Sequence, residues 1–242
     1  NQTIRVSGAV VHFNSTKVRL WLHRALDGKV KSGSFSQDAR GRWYCNIVVE
    51  IEIQPHNKTD AVGIDLGLKT LAALSTGEMV EHPRAYRALE SKLVTAQRAK
   101  KTRLARAINA KIANTRKDFL HKETTKLADR FGRIMVGNAS ARWQQQTNGK
   151  SSADASWGQF RSMLRYKAIA RGAQYMDVPE AFTTQTCSAC GALPEGRPKG
   201  IAGLGIREWA CGDCGAAHDR DVNAARNILR CGLAALVEGA SA

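Results

Sequence analysis

The spacing of apolar positions changes along the chain and marks its elements. Up to about residue 58 they come in short runs, Ala9–Phe13, Lys17–Leu22, Lys29–Phe35 and Trp43–Ile53. Asn14-Ser15, Asp27-Gly28 and Asp38–Gly41 lie between them, residues whose side chains or freedom at φ suit tight turns. Several short antiparallel strands are expected here, forming a small β-barrel portion. Gln54–Asp60 reads as a linker. The run Ala61-Val62-Gly63-Ile64 then stops at Asp65 and is closed by Gly67, the pattern of a buried strand ending in a carboxylate. Thr70–Ser75 and Glu78–His82 follow as two more strands, with a turn at Thr76-Gly77.

From Arg84 to Arg133 the period lengthens. Leu89, Leu93, Leu104, Ile108, Ile112 and Phe119 recur at helical spacing. A break near Asn114 is expected, giving an antiparallel helical pair. Arg133–Val136 reads as another buried strand, residues 141–155 as a polar loop, and Asp154–Ala170 as a helix. In that helix Trp157, Phe160, Leu164 and Tyr166 are available for packing. Ala173–Val178 is a further strand, ending at Pro179-Glu180. Strands and helices thus alternate as in an α/β fold. Three strands in succession, the first ending in Asp, are how an RNase H-like mixed sheet begins.

Charge narrows the partner. The 242 residues carry 37 Lys+Arg against 21 Asp+Glu, a net of +16, which favours a polyanion. Between Arg84 and Arg133 there are 15 basic residues and four acids. A solvated face is the plain reading of a basic helix. Here the excess is one-sided and matches the net charge, which points to phosphates and to Lys100, Lys101, Arg103, Arg106, Arg116, Lys117 and Lys122 as contacts. No apolar run approaches the roughly 18 residues of a membrane span. The opening Asn1–Arg5 lacks the layout of a secretory signal. The chain starts without Met inside strand-like sequence, as expected of a processed, trimmed or partial polypeptide.

Of six cysteines, Cys45 and Cys231 stand alone. Cys187-x-x-Cys190 and Cys211-x-x-Cys214 are 20 residues apart, the spacing of a zinc ribbon holding Zn²⁺ by four thiolates. Such a set leaves no open position for water, so the expected role is structural, in a reducing cytoplasm. Gly191 and Gly215 follow the second Cys of each pair, where the chain must turn tightly. A second acidic cluster comes directly after, in His218-Asp219-Arg220-Asp221. Asp65 on a strand end and Asp221 opening a last helix offer hard oxygen ligands for divalent cations, as a two-metal phosphodiesterase requires.

Four ordered motifs resemble the TnpB family of transposon-encoded RNA-guided nucleases, which is related to compact type V CRISPR effectors. They are Gly63–Gly67, Ile112–Lys122, Thr183–Gly191 and Asp219–Ile228. The similarity runs from about Val10 to Leu229. It implies a RuvC-like nuclease domain at 59–182 and 218–242, an inserted zinc ribbon at 183–217 and the end of a wedge-like β-barrel at 1–58. It also implies a prokaryotic, cytoplasmic protein with a guide RNA, a DNA target recognised by pairing and two catalytic Mg²⁺ ions beside the structural Zn²⁺. Family members usually carry more sequence before the barrel, including a helical recognition insertion.

Position by position, Asp65 matches the first catalytic acid and Asp221 the last, with Asp219 structural. The second acid departs from the pattern: Ile134-Met135-Val136 runs into Gly137-Asn138, and Gly137 has no side chain to ligate a metal. Either the third carboxylate has moved, to Glu180 or to Asp154, or cleavage has been lost and the protein binds DNA under RNA guidance without cutting. Glu180 is the preferred candidate because its strand lies beside that of residue 137 in an RNase H sheet. A guide-free zinc-ribbon DNA-binding protein is the third reading. Trp157, Trp209 and Tyr166 are expected to pack, and His121 to pack or to position phosphate.

Overall fold

The structure, a computed structural model, describes residues 4–23, 25–138, 156–200 and 202–240. It divides into two compact units, Asn1–Gln54 and Pro55–Ala242.

In the first unit β1 (Ile4–Ser7), β2 (Val10–Phe13) and β3 (Thr16–Arg19) form an antiparallel meander. β4 (Lys29–Gln37) and β5 (Trp43–Glu50) form a separate hairpin. Its turn is fastened by Asp38, whose Oδ1 accepts the N–H groups of Arg40 and Arg42 at 2.8 and 2.9 Å. Phe13 meets Phe35 edge-on across the two sheets, ring centroids 5.7 Å apart, and Ile4 and Val11 are buried. Among the described residues no ladder closes these strands into a barrel. These strands form two small sheets packed against each other.

The second unit is built on one mixed sheet of β6 (Ala61–Leu66), β7 (Thr70–Leu74), β8 (Met79–Glu81), β9 (Arg133–Gly137) and β10 (Gln174–Val178), in the order β10-β9-β6-β7-β8. β6, β7 and β8 are antiparallel neighbours, whereas β9 and β10 run parallel to β6. Parallel neighbours need long crossovers, and helices supply them. Val62, Ile64, Leu66, Ile134 and Val136 pack under Leu120 and Leu127 of α2 (Thr102–Arg130) and Phe160 and Leu164 of α3 (Trp157–Ala170). On the other face Met135 and Val178 pack under Ile228 of α4 (Arg220–Ala240). A strand covered on both sides reads as an unbroken apolar run, which is why Ile134-Met135-Val136 shows no alternation.

The helical pair differs from expectation in its break point. α1 (Ala85–Arg98) stops at Ala99–Lys101, and α2 runs unbroken through Asn114. Lys100 takes φ 51°, while the N–H groups of Lys101 and Lys100 return to the carbonyls of Ala96 and Gln97 at 2.9 and 3.0 Å. That is a Schellman ending with lysine in the left-handed position where glycine is usual. Asn114 is exposed, where its modest helix propensity costs only a fraction of a kcal/mol, about 0.7 at most. The apolar stripe divides accordingly: Leu89, Leu93, Ile108 and Ile112 join α1 to α2, Phe119 packs toward the sheet, and Leu104 is exposed. Tyr166, expected to pack, lies on the outside of α3 at 51% exposure. Among the described residues no helix is long and apolar enough to cross a membrane.

Candidate functional site

The four predicted cysteines converge, with all Sγ atoms within 4.8 Å of one another. Cys187 and Cys214 are 3.7 Å apart, and Cys190 and Cys211 3.8 Å. Tetrahedral Zn²⁺ with Zn–S bonds of about 2.3 Å requires sulfurs about 3.8 Å apart, so the set fits that ion. The two knuckles repeat one backbone pattern. Gly191 and Gly215, at φ 79° and 73°, donate to Cys187 and Cys211, and each of those cysteines donates onward, to Ala192 and Ala216. β11 (Glu208–Ala210) and β12 (Ala217–Asp219) close the ribbon. Trp209 is buried there against His218, as expected of a packing residue, and His218 Nε2 lies 3.0 Å from Cys187 Sγ. Burial opposes ionisation of Cys187, but the N–H groups of Cys190 and Ala189 and His218 outweigh it, lowering the thiol to about 6. A lowered pKa favours the thiolate at Cys187, the form that binds metal. At Cys214 the N–H of Ala216 is outweighed by the neighbouring thiols and by burial, which push that thiol up to about 12.

A second constellation gathers at the carboxyl ends of β6, β9 and β10. Gly63 lets α4 lie on the sheet: a Cβ there would stand 2.0 Å from the carbonyl oxygen of Ala225. From that point Asp65 is two residues along β6, and Asp221 is four residues back along α4. Both are displacements of about 6 Å, which bring strand end and helix start level. On the adjacent strand Val136 pairs with Ile64, which sets Gly137 beside Asp65, and Val178 of β10 pairs with Gly137. Glu180 is two residues beyond Val178. A Cβ on Gly137 would lie 2.1 Å from Glu180 Oε1 and 2.8 Å from Cδ. The carboxylate of Glu180 therefore fills the space that a side chain at 137 would enter. Asp154 lies outside the described residues.

These groups feel one another. Asp65 keeps part of its surface open to solvent, yet its carboxyl is pushed well above the ordinary value by burial, then by Glu180 and Asp221, with Arg220 opposing. Clustered carboxylates in a low dielectric favour cations or protons between them. Asp221 is already held by two guanidiniums: Arg207 Nη1 donates to Oδ2 at 2.6 Å, and Arg220 Nε and Nη2 donate to Oδ1 at 3.1 Å. Neither arginine was expected from the sequence; Arg207 is 14 residues upstream and reaches Asp221 only because the ribbon folds back. Asp219 caps α4, its Oδ1 accepting from the N–H of Asp221 and Val222 at 2.9 and 2.8 Å. Among the described residues only the cysteines form a metal-type cluster within 4.8 Å, so the three acids are more widely spread than ligands around a single ion.

The candidate phosphate contacts divide. Lys100, Lys101, Arg103, Arg106 and Lys117 are exposed along the hairpin. Lys122 is exposed but paired with Asp118 at 2.7 Å. Arg116 is half-buried, with Nε shut off from solvent, a poorer place for a phosphate contact. Trp157 is buried and donates Nε1–H to the carbonyl of Gly67 at 3.2 Å.

Two family profiles match, one described as "Probable transposase" (OrfB_IS605) over residues 46–142, the other as "Cas12f1-like, TNB domain" over residues 157–228. The chain is 38% identical over 217 residues to a Streptomyces pristinaespiralis protein named "Putative RNA-guided DNA endonuclease", covering 83% of this chain and 52% of that one. It is 32% identical over 248 residues to InsQ of Escherichia coli K12, which bears the same description, covering 89% and 60%. The chain thus spans about half to three-fifths of these relatives. The fold is similar to that of a solved Cas12f1–sgRNA–target DNA complex, at TM-score 0.53 and 18% identity, over 81% of this chain and 55% of that one.

Proposed function

We propose that this chain, similar over most of its length to members of the TnpB family, carries the RuvC-like catalytic centre of an RNA-guided DNA endonuclease. The domains of that reading are a wedge-like portion at 1–58, the RNase H-like nuclease domain at 59–182 and 218–242, and a zinc ribbon at 183–217. Asp65, Glu180 and Asp221 hold two Mg²⁺ ions, and the four cysteines hold a structural Zn²⁺. When bound, the Mg²⁺ ions supply the charge neutralisation and water activation that phosphodiester hydrolysis needs. The chain's part is placement. Asp65 sits on a strand buried on both sides, Asp221 in the first turn of a capped helix, and Glu180 in the notch left by Gly137. Arg207 and Arg220 keep the Asp221 carboxylate aimed and partly neutralised. Lys100, Lys101, Arg103, Arg106 and Lys117 offer a basic surface for the backbone of a guide RNA–target DNA hybrid.

What carries the reading is the carboxylate of Glu180 standing in the room of the missing side chain at 137. A lost site has no need to refill that notch with an acid. The test is to purify the chain with co-expressed RNA and incubate it with matching DNA and Mg²⁺. Cleavage abolished by Asp65→Ala, Glu180→Ala and Asp221→Ala is the expected result. RNA-dependent binding without cuts would make the protein a guided clamp, and random or absent RNA would make it a guide-free binder.

A further inference from the structure

Two buried side chains outside the acid cluster tie it to the cysteine site. Asn223 and Asn227 stand one turn apart on α4, each 1% exposed. Nδ2 of Asn223 donates to the carbonyls of Thr183 and Thr186 at 3.2 and 2.8 Å, and Nδ2 of Asn227 to the same two at 2.8 and 2.7 Å. Oδ1 of Asn223 accepts the N–H of Ser188 at 2.8 Å, inside the first cysteine knuckle. This stretch belongs to no strand or helix, so side chains provide the anchoring that a ladder would elsewhere.

Both ends of the anchored stretch matter. Upstream, Thr183 N–H and Oγ1–H both donate to the carbonyl of Glu180, at 3.2 and 3.0 Å. Fixing Thr183 therefore fixes the backbone from which the Glu180 carboxylate reaches Gly137. Downstream, Ser188 lies between Cys187 and Cys190. Asn223 itself is two residues from Asp221. A primary amide has two N–H donors and an acceptor, and Asn223 uses both functions here. Aspartate would keep only the acceptor, and alanine would strand the Ser188 N–H and leave both carbonyls to Asn227 alone.

We infer that Asn223 and Asn227 are positioning residues that set Glu180 against Asp221 and couple the acid site to occupancy of the four-cysteine site. The inference rests on the reading that Asp65, Glu180 and Asp221 hold divalent cations. Groups that orient ligands from behind typically change metal affinity by about 10–100-fold when removed. Coupling of this kind is reciprocal, so a cation at the acids must also raise the equilibrium affinity of the ribbon for zinc by the same factor.

The test is a Mn²⁺ titration of the full chain, zinc-loaded and zinc-stripped, followed by electron paramagnetic resonance of the free ion. Helix content and zinc stoichiometry are measured on each sample. Zinc removal is expected to weaken Mn²⁺ binding about tenfold or more in the parent protein. Asn223→Ala, still zinc-loaded, should show a similar loss and little further effect of stripping; Asn223→Asp should fall between. Asn227→Ala, which removes only two of the five bonds, decides the matter if Asn223→Ala fails to fold. Mn²⁺ affinity indifferent to zinc and to both asparagines overturns the coupling. Mn²⁺ binding that survives Asp65→Asn, or is absent from the parent, overturns the cation reading beneath it.

Discussion

Gly137→Ala adds a single methyl group where Glu180 already sits. The new Cβ would lie 2.1 Å from Oε1, and ordinary contact begins near 3.4 Å, so the carboxylate must retreat by 1.3 Å. The obstructing atoms, Oε1, Cδ and Cγ, all belong to the flexible side chain of Glu180, and Gly137 does not occupy the left-handed region. The strand can therefore stay in place while Glu180 turns. Stability should change by less than about 1 kcal/mol, because the off-rotamer cost of Glu180 is offset by the smaller unfolded-state entropy of alanine. Activity should not be spared. Misplacing a catalytic group by about 1 Å can cost about 10²-fold, or about 2.7 kcal/mol of transition-state stabilisation.

The assay is single-turnover cleavage of matched DNA by the RNA-loaded protein across a Mg²⁺ series, with a thermal melt of each variant. Gly137→Ala should cut about 100-fold more slowly and need more Mg²⁺, with a melting temperature within about 4 °C of the parent. Gly137→Glu combined with Glu180→Ala returns a carboxylate to the same notch from the neighbouring strand and should recover activity to within about tenfold. A Gly137→Ala protein cutting at the parental rate, beside an inactive Glu180→Ala, would refute the idea that Glu180 works from this notch. Parental cleavage by Glu180→Ala would refute its role altogether.

The raised pKa of Asp65 has a sign that can be measured. Above 3.8 the folded, metal-free protein keeps a proton that the unfolded chain has released, so this contribution to stability is lost as pH rises through the folded pKa. Melting temperature without metal should fall across that window, and added Mg²⁺ should reverse the fall. Arg207→Ala should lower stability by about 1 kcal/mol, since the pair is only partly shielded, while tightening Mn²⁺ binding because a competitor for Asp221 is gone; calorimetric titration and melts read both. Elemental analysis should give one zinc per chain, with Cys190→Ser losing it and exposing residues 183–219 to proteolysis. Replacing Lys100, Lys101, Arg103, Arg106 and Lys117 with alanine should weaken nucleic-acid binding for all sequences. The log–log salt slope should fall by about 0.7–0.9 for each phosphate no longer neutralised, read by filter binding at several salt concentrations.

The elements were legible where local pattern and tertiary demand agree. The sheet strands announced themselves because burial on both faces forces uninterrupted apolar runs, and the four-cysteine set because metal geometry restricts cysteine spacing. The hairpin break was hidden because its left-handed position is filled by Lys100, and no glycine or proline flags it. Tyr166 was misplaced for a related reason: helical spacing identifies a stripe but not which aromatic falls outside it. The grouping of the N-terminal strands into two sheets was not legible, since runs and turns specify hairpins well but do not say which strand edges will meet.

The candidate site divides along the same line. Asp65 and Asp221 can be read locally, as an acid ending a strand and an acid opening a helix. Glu180 needed one tertiary premise, that its strand lies beside the one ending in Gly137, and the pairing of Val178 with Gly137 supplies it. Arg207, Asn223 and Asn227 needed more than that. Their partners lie 14 to 44 residues away and are backbone carbonyls, a backbone N–H and a carboxylate brought together by the ribbon. A pair of asparagines one turn apart on a helix that faces a sheet is nevertheless a readable signal. Buried amides must find partners, and where no strand or helix is near, the partners have to come from an irregular segment held against that helix. That requirement explains why so loop-rich a ribbon can present Glu180 and Cys187 in fixed relation to Asp221.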